Sequence, residues 1–362
     1  KWLREDFVFL IKTMVIHSGL ALPGMSSLMN YMQIAATENT IYTSPDASKI
    51  FCYTPSIIVT PTGRLIVSFD LGGEGVKSIE GHKSSRAGGS RFGQGKIFIS
   101  DDNGQKWTFV QNFPFWHARL FIIGNSIYLI GHAGDICIMK SEDNGESWSD
   151  TYFLTYGEKW HSSACNVLFS NGNVYLAMEQ RCRLNEVTGW DVAGLSPTLF
   201  RACVEDNLCL ASSWSRSEKF IYKEVFNGAK LDFFGIPFYD CETNKPKEIA
   251  TGINNAPLGW LEANVVKFVD KDHIWHTDLK EVFHLFLRAH TGGVNYAHLF
   301  KIEIQDDQSM IPSLEHTPSG QKISYIPFPG GHLKFFIIYD ELTRFYWLVS
   351  NQATDSMRRV SS

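Results

Sequence analysis

Histidine, arginine and carboxylate side chains recur beside short apolar runs of this sequence. Three histidines, His117, His132 and His161, lie at the ends of such runs, and Arg119 and Arg181 lie at comparable run ends. Histidine exchanges protons near neutral pH, and arginine binds carboxylates through two parallel hydrogen bonds. Together these residue types predict proton transfer on an anionic substrate. The histidines lack the close spacing of zinc ligands, so we expect no metal and no cofactor.

Short strands must position these side chains. From about residue 50, apolar runs alternate with turns of Gly, Asn, Asp and Pro, and no long segment with a helical period interrupts them. The same unit, a hairpin of two apolar strands, recurs at 57–60 with 65–69, 120–123 with 127–130, 167–169 with 174–178, 265–268 with 284–287, and 335–338 with 345–348. Such recurrence predicts an all-β fold, either a β-propeller or a sandwich.

A second repeat favours the propeller. Residues Ser100–Trp107 and Ser141–Trp148 both read Ser-x-Asp-x-Gly-x-x-Trp, and they start 41 residues apart (141 minus 100). In such a turn Asp and Asn accept backbone hydrogen bonds, Gly takes a positive φ, and Trp packs over the turn. The distance between the copies is that of one propeller blade.

This repeat is the Asp-box of the sialidase (neuraminidase) superfamily, and the chain resembles those β-propellers from about residue 50 to its end. The resemblance implies a six-bladed, sialidase-like propeller over residues 46–362, preceded by an N-terminal extension over 1–45. The apolar run in that extension fits either a degenerate signal peptide or a packed segment. Strand pairs for about five blades can be counted, so we expect the ring to be incomplete at the C-terminus or completed by N-terminal residues.

The blade pattern predicts where a site would form. The start of the first strand and the end of the second strand lie on one face of a propeller, so the residues at these points should converge. We expect catalytic roles for Glu262, His117, His132 and Asp135. We expect substrate-binding roles for Arg288, Arg119, Arg181, Asp70, Trp160, His161, Lys334 and Arg91, the last of these from a glycine-rich loop.

Glu262 and Arg288 carry the family resemblance most directly. Sialidases place a Glu at the start of one strand and an Arg at the end of the next, as Gly259–Glu262 and Phe286–Arg288 do here. The resemblance implies that Arg288 holds a substrate carboxylate and that Glu262 activates a nucleophile or acts as acid/base. Where the family has Arg-Ile-Pro, this chain reads Tyr53-Thr54-Pro55. The third arginine, the acid/base aspartate and the nucleophilic tyrosine remain unassigned, with Asp70 the nearest candidate for the aspartate.

Composition narrows the function classes. The chain has 362 residues, with 33 Lys+Arg against 38 Asp+Glu and a net charge of -5, which argues against a partner bound through its phosphates. Seven cysteines without close pairs argue against a dense disulfide framework. No segment fits a membrane span. Within these limits, the resemblance to sialidases implies a secreted or periplasmic exo-glycosidase that cleaves a terminal acidic sugar from an anionic glycan, with its oligomeric state left open.

Two alternatives remain. The first is a uronate lyase or an α-L-rhamnosidase-type propeller, in which a histidine is the catalyst. The second is a non-catalytic propeller that binds glycans.

Overall fold

A computed structural model describes residues 39–85, 92–163, 165–182, 192–226, 259–289 and 295–351. It also gives the backbone of four short strands, Val15–Ile16, Phe233–Phe234, Glu248–Ala250 and Ile253–Asn254. Helical structure in these ranges is confined to an α-helix at Tyr222–Val225 and 3₁₀ turns at Glu74–Ser78, Val192–Gly194 and Ala211–Ser213. No helix in this part of the chain is long and apolar enough to cross a membrane.

Antiparallel sheets follow one another along the chain. The first sheet contains Phe51–Val59, Leu65–Gly72, Phe92–Ser100 and Thr108–Phe113, with Ser84–Ser85 paired to its third strand. The second sheet contains Trp116–Ile123, Ser126–Ala133, Asp135–Ser141 and Tyr152–Phe153. The third sheet contains Trp160–His161, Leu168–Ser170, Asn173–Arg181, Leu195–Cys203 and Ser215–Arg216.

The fourth and fifth sheets continue this order. The fourth sheet contains Trp260–Val266, Val282–Ala289, Tyr296–Ile304, Met310–Ser313 and Tyr325–Pro327. The fifth sheet contains Phe335–Asp340, Phe345–Ser350 and Val15–Ile16. A small sheet joins Phe233–Phe234, Lys322–Ile323 and Glu315–His316, and Glu248–Ala250 pairs with Ile253–Asn254.

The all-β fold and the five predicted hairpins are confirmed. Each hairpin is an antiparallel pair of consecutive strands, the first two strands in four of the sheets and Leu168–Ser170 with Asn173–Arg181 in the third. The third strand of the fifth sheet, however, is Val15–Ile16, which pairs with Val349 and Leu348. A piece of the predicted N-terminal extension therefore belongs to the last sheet, while the six-bladed count stays a prediction.

The inner strand of each sheet, meaning its first strand after residue 50, lies beside the inner strand of the next sheet. Ser56 Oγ on the first inner strand accepts a hydrogen bond from Leu120 N–H on the second (2.9 Å). The Asn166 side chain, between the two short inner segments of the third sheet, bonds both the N–H and the C=O of Val265 (2.7 Å each). Asn264 makes the corresponding contacts to the fifth inner strand. These bonds satisfy buried backbone groups and fix the inner strands side by side in chain order.

The two Ser-x-Asp-x-Gly-x-x-Trp turns lie at the sheet ends remote from the inner-strand starts. In the first turn, Gly104 N–H donates to Ser100 Oγ (2.9 Å) and Lys106 N–H donates to Asp102 Oδ1 (2.8 Å). The second turn repeats both bonds at 2.9 Å between the positions 41 residues later. The guanidinium of Arg64 contacts both turns. The repeat is therefore a structural turn and contributes no group to the opposite end of the sheets.

Candidate functional site

The same backbone distortion occurs in three inner strands. In the first, second and fourth sheets, the pairing register shifts at the start of the inner strand. At this shift Thr54, His117 and Glu262 have φ values of 50°, 54° and 60°. Non-glycine residues rarely adopt this conformation, and bulges of this kind re-aim a side chain. The structure therefore makes these three positions equivalent, although the sequence pointed only to His117 and Glu262.

Asp70 lies next to the first of these bulges and is buried, with 1% of its surface exposed. Its Oδ1 accepts a hydrogen bond from His117 N–H on the second sheet (3.1 Å). Its Oδ2 has no hydrogen-bond partner within the described ranges. Burial raises the pKa of Asp70 to about 8, although the charge of Lys334 opposes the rise. Asp70 therefore holds a proton at neutral pH and can act as an acid.

Three histidine rings cluster beside Asp70. His132 Nε2 lies 3.1 Å from His117 Nδ1. The His161 ring centroid lies 5.3 Å from that of His117 and 6.4 Å from that of His132. Because one nitrogen of a hydrogen-bonded pair must donate and the other accept, the contact between His117 and His132 holds one proton, carried by one of these two nitrogens. The cluster can relay or accept protons.

Glu262 is buried between two cations. Its Oε2 lies 3.4 Å from the Arg288 guanidinium, and its Oε1 lies 3.5 Å from Lys334 Nζ. Burial acts to raise the pKa of Glu262, but the charges of Lys334 and Arg288 outweigh it, so the pKa lies below its usual value. Arg288 is itself held by a hydrogen bond from its Nε to His332 O (3.0 Å). Glu262 is therefore an ionised carboxylate at neutral pH.

These groups come from five sheets and face one region. Asp70 belongs to the first sheet, Glu262 to the fourth, and Lys334 precedes the inner strand of the fifth. The charge of Lys334 acts on both Asp70 and Glu262. The ring of His117 on the second sheet lies 5.3 Å from that of His161 on the third. The result is one site with two carboxyl groups that differ in protonation.

Three further predicted site residues, Arg119, Asp135 and Trp160, have partners outside this group. Arg119 is 1% exposed and donates to Ala177 O (2.9 Å), so its guanidinium ties the second sheet to the third. Asp135 accepts hydrogen bonds from the 155–158 loop through both oxygens, so it shapes that loop. Trp160 is also 1% exposed and packs in the core against Phe200. The structure gives these side chains partners in the backbone or the core, and their predicted roles at a substrate stay predictions.

Two further predicted residues are Arg181 and Arg91, and the sequence analysis did not include Glu179 among the site residues. Arg181 ends a strand of the third sheet, where its N–H donates to Lys159 O (2.8 Å). Arg91 lies outside the described residues. Sequence reasoning missed the role of Glu179, which is fully buried and bonds His161 Nδ1 (2.8 Å). A lone acidic residue at the end of an apolar strand was the signal that could have found it.

Within the described ranges, the structure shows one part of the predicted sialidase pattern, the contact between Glu262 and Arg288. Glu262 contacts Arg288 and Lys334, and no tyrosine hydroxyl within the described ranges bonds it. The guanidinium of Arg119, the arginine nearest the histidines in the sequence, is buried and donates a hydrogen bond to Ala177 O. In the same ranges no group of three His, Cys, Asp or Glu side chains is arranged to hold a metal ion.

Comparison with known proteins gives low similarity throughout. No protein-family model matches the chain. No curated protein matches it in sequence.

Solved structures show only a distant likeness. An α-L-arabinanase from Penicillium chrysogenum, complexed with arabinobiose, is 11% identical, with a TM-score of 0.44 over 85% of this chain and 78% of that chain. An α-L-arabinofuranosidase from Lactobacillus brevis is 13% identical, with a TM-score of 0.43 over 76% and 82%. The NanB sialidase from Streptococcus pneumoniae is 9% identical, with a TM-score of 0.46 over 83% and 52%. These values are too low to transfer a substrate or a mechanism to this chain.

Proposed function

We propose that this chain is a glycoside hydrolase that removes a terminal acidic sugar from glycans, on a sialidase-like six-bladed propeller. The observation that carries the proposal is the pair of buried carboxyl groups, Asp70 and Glu262, whose pKa values are shifted in opposite directions beside one lysine. Most glycosidases use one protonated and one ionised carboxyl group at the scissile bond, although sialidases have a tyrosine as nucleophile. Asp70 would protonate the leaving oxygen, and Glu262 would act as base or nucleophile.

The cations support an anionic sugar. Arg288 and Lys334 both lie at Glu262, and Lys334 has 44% of its side chain exposed. An exposed ammonium at this position can bind a substrate carboxylate. Asp70 still keeps its proton, because the effect of burial on its pKa outweighs the effect of the ammonium. Glycans of this kind lie mostly outside the cytoplasm, so we place the activity in a secreted or periplasmic protein.

A second candidate is elimination from a uronate. The bonded pair of His117 and His132 favours it, because an imidazole can remove the proton α to a carboxylate while nearby cations neutralise that carboxylate. Elimination creates a C=C bond conjugated with the carboxylate, which absorbs in the ultraviolet. Hydrolysis creates no such bond.

One assay separates these functions. The full chain is incubated with sialosides, glucuronate-capped oligosaccharides and arabinan oligosaccharides, and free sugar and ultraviolet absorbance are read together. Free acidic sugar without new absorbance, abolished by Asp70→Asn, supports the proposal. New absorbance that disappears in His117→Ala or His132→Ala supports the lyase. Binding of a glycan by folded protein without turnover overturns both.

A further inference from the structure

Glu179 is a buried carboxylate that the proposed acid and base do not use. It lies on the strand Asn173–Arg181 of the third sheet, where it pairs with His161, and its relative exposure is 0%. A carboxylate buried this completely is stable only when both oxygens are satisfied. Both are: Oε2 lies 2.8 Å from His161 Nδ1, and Oε1 accepts a hydrogen bond from Ala263 N–H (3.1 Å).

The first contact sets the proton on His161. An ionised carboxylate only accepts hydrogen bonds, so the His161 proton must lie on Nδ1. In the neutral ring Nε2 is then a hydrogen-bond acceptor. Since the His161 ring lies against the ring of His117, this acceptor belongs to the histidine cluster at the site.

The second contact reaches the other side of the site. Ala263 directly follows Glu262, whose φ of 60° marks the bulge that aims its side chain. A hydrogen bond to the Ala263 N–H therefore holds the bulge from the neighbouring sheet. One carboxylate thus contacts both the third-sheet histidine and the backbone that carries the fourth-sheet carboxylate.

We propose that Glu179 is a positioning residue of the active site, which sets the tautomer of His161 and holds the Glu262 bulge at the same time. This inference rests on the proposed function for its effect on turnover, but its structural part stands without it. Glu179 touches no substrate in this scheme and acts through its two partners.

The Glu179→Gln variant tests both contacts, because an amide has one acceptor and one donor end where the carboxylate has two acceptors. The backbone N–H of Ala263 cannot change role, so we expect it to take the amide oxygen. The amide NH₂ then faces His161 Nδ1, which must accept. The ring changes tautomer, and its Nε2 becomes a donor towards the site.

His284 and Glu315 provide a matched control. This pair is also buried, with 2.7 Å between His284 Nε2 and Glu315 Oε1. Glu315→Gln makes the same chemical change away from the site. Both variants and the wild type are compared by ¹⁵N NMR of labelled histidine side chains, thermal unfolding and kcat/KM on the substrate found above.

We expect Glu179→Gln to invert the nitrogen shifts of His161 and to lower kcat about 10²-fold with little change in KM, since ground-state contacts remain. We expect Glu315→Gln to lose similar stability and keep its kcat. Equal kcat losses in the two variants, or an unchanged His161 tautomer, would overturn the inference. If no glycan is turned over but the His161 tautomer still inverts, the proposed function fails and the positioning contact stands.

Discussion

Two buried histidine–glutamate pairs look alike in isolation. His161–Glu179 and His284–Glu315 are separated by 2.8 Å and 2.7 Å, and the two histidines are 6% and 1% exposed. They differ in the third group that each glutamate contacts. The second carboxylate oxygen of Glu179 accepts a hydrogen bond from the backbone N–H of Ala263, the residue that follows the candidate catalytic carboxylate Glu262. The position of a histidine–glutamate pair in its sheet therefore decides whether the pair can take part in catalysis.

The surroundings of the second pair explain its structural character. The His284 ring stacks on Trp275 (5.2 Å between centroids) and meets Phe268 edge-on (5.0 Å). The second oxygen of Glu315 faces Lys301 at 3.9 Å. Aromatic packing and a nearby surface lysine stabilise a loop over the fourth sheet. We therefore expect Glu179→Gln and Glu315→Gln to lose similar stability, while only Glu179→Gln loses activity.

The largest expected effect is on the two site carboxyl groups. Asp70→Asn removes the proton donor and Glu262→Gln removes the ionised carboxylate, so each is expected to lower kcat/KM about 10³-fold or more. Asp101→Asn, an exposed turn aspartate, is the control and should change turnover less than twofold. Steady-state kinetics on the released sugar measure all three. Retention of activity in Asp70→Asn would remove Asp70 from the mechanism.

Asp70→Asn, which should lower activity, should raise stability at alkaline pH. The folded-state pKa of about 8 lies above the ordinary 3.8, so folded protein keeps a proton that unfolded chain loses. Wild-type stability is therefore expected to fall as pH rises from about 4 to about 8. Asparagine cannot ionise, so the variant should unfold at a higher temperature than the wild type at alkaline pH. A lower unfolding temperature there would mean that the ionised Asp70 is stabilised by the fold.

The next effect concerns the lysine that both carboxyl groups share. Lys334 lowers the pKa of Asp70 and of Glu262, so Lys334→Met should raise both values. Activity requires Glu262 ionised and Asp70 protonated, so both limbs of the pH profile of kcat/KM should move to higher pH. Lys301→Met, beside the second pair at Glu315, should leave both limbs in place. Opposite shifts of the two limbs would contradict the shared environment.

The sequence predicted the strand pairs better than the site. Hairpins are local, because alternation and turn residues act within about ten residues of chain. The convergence of Asp70, His117 and Glu262 followed from strand ends alone, so it could be anticipated. Arg119 and Trp160 lie at the same kind of position, yet both are buried, and no sequence pattern shows which residue at a strand start turns towards the core. The place of Glu179 at a strand end could be seen in the sequence, but its partners, His161 and the backbone of Ala263, lie on two other segments and could not.

The smallest effect lies at the remote end of the sheets, where Arg64 joins the two repeated turns. Its guanidinium bonds Asp101 (2.7 Å) and Glu146 (2.6 Å), and its side chain is 13% exposed. Arg64→Ala should lower the free energy of unfolding by about 1 kcal/mol, since the network is partly buried but its carboxylates are exposed. Arg216→Ala, which removes a single exposed pair with Glu158, should cost less than about 0.5 kcal/mol. Urea unfolding measures both, and kcat/KM should not change, because neither residue touches the site. A loss of turnover in Arg64→Ala would show that the two ends of the sheets are coupled.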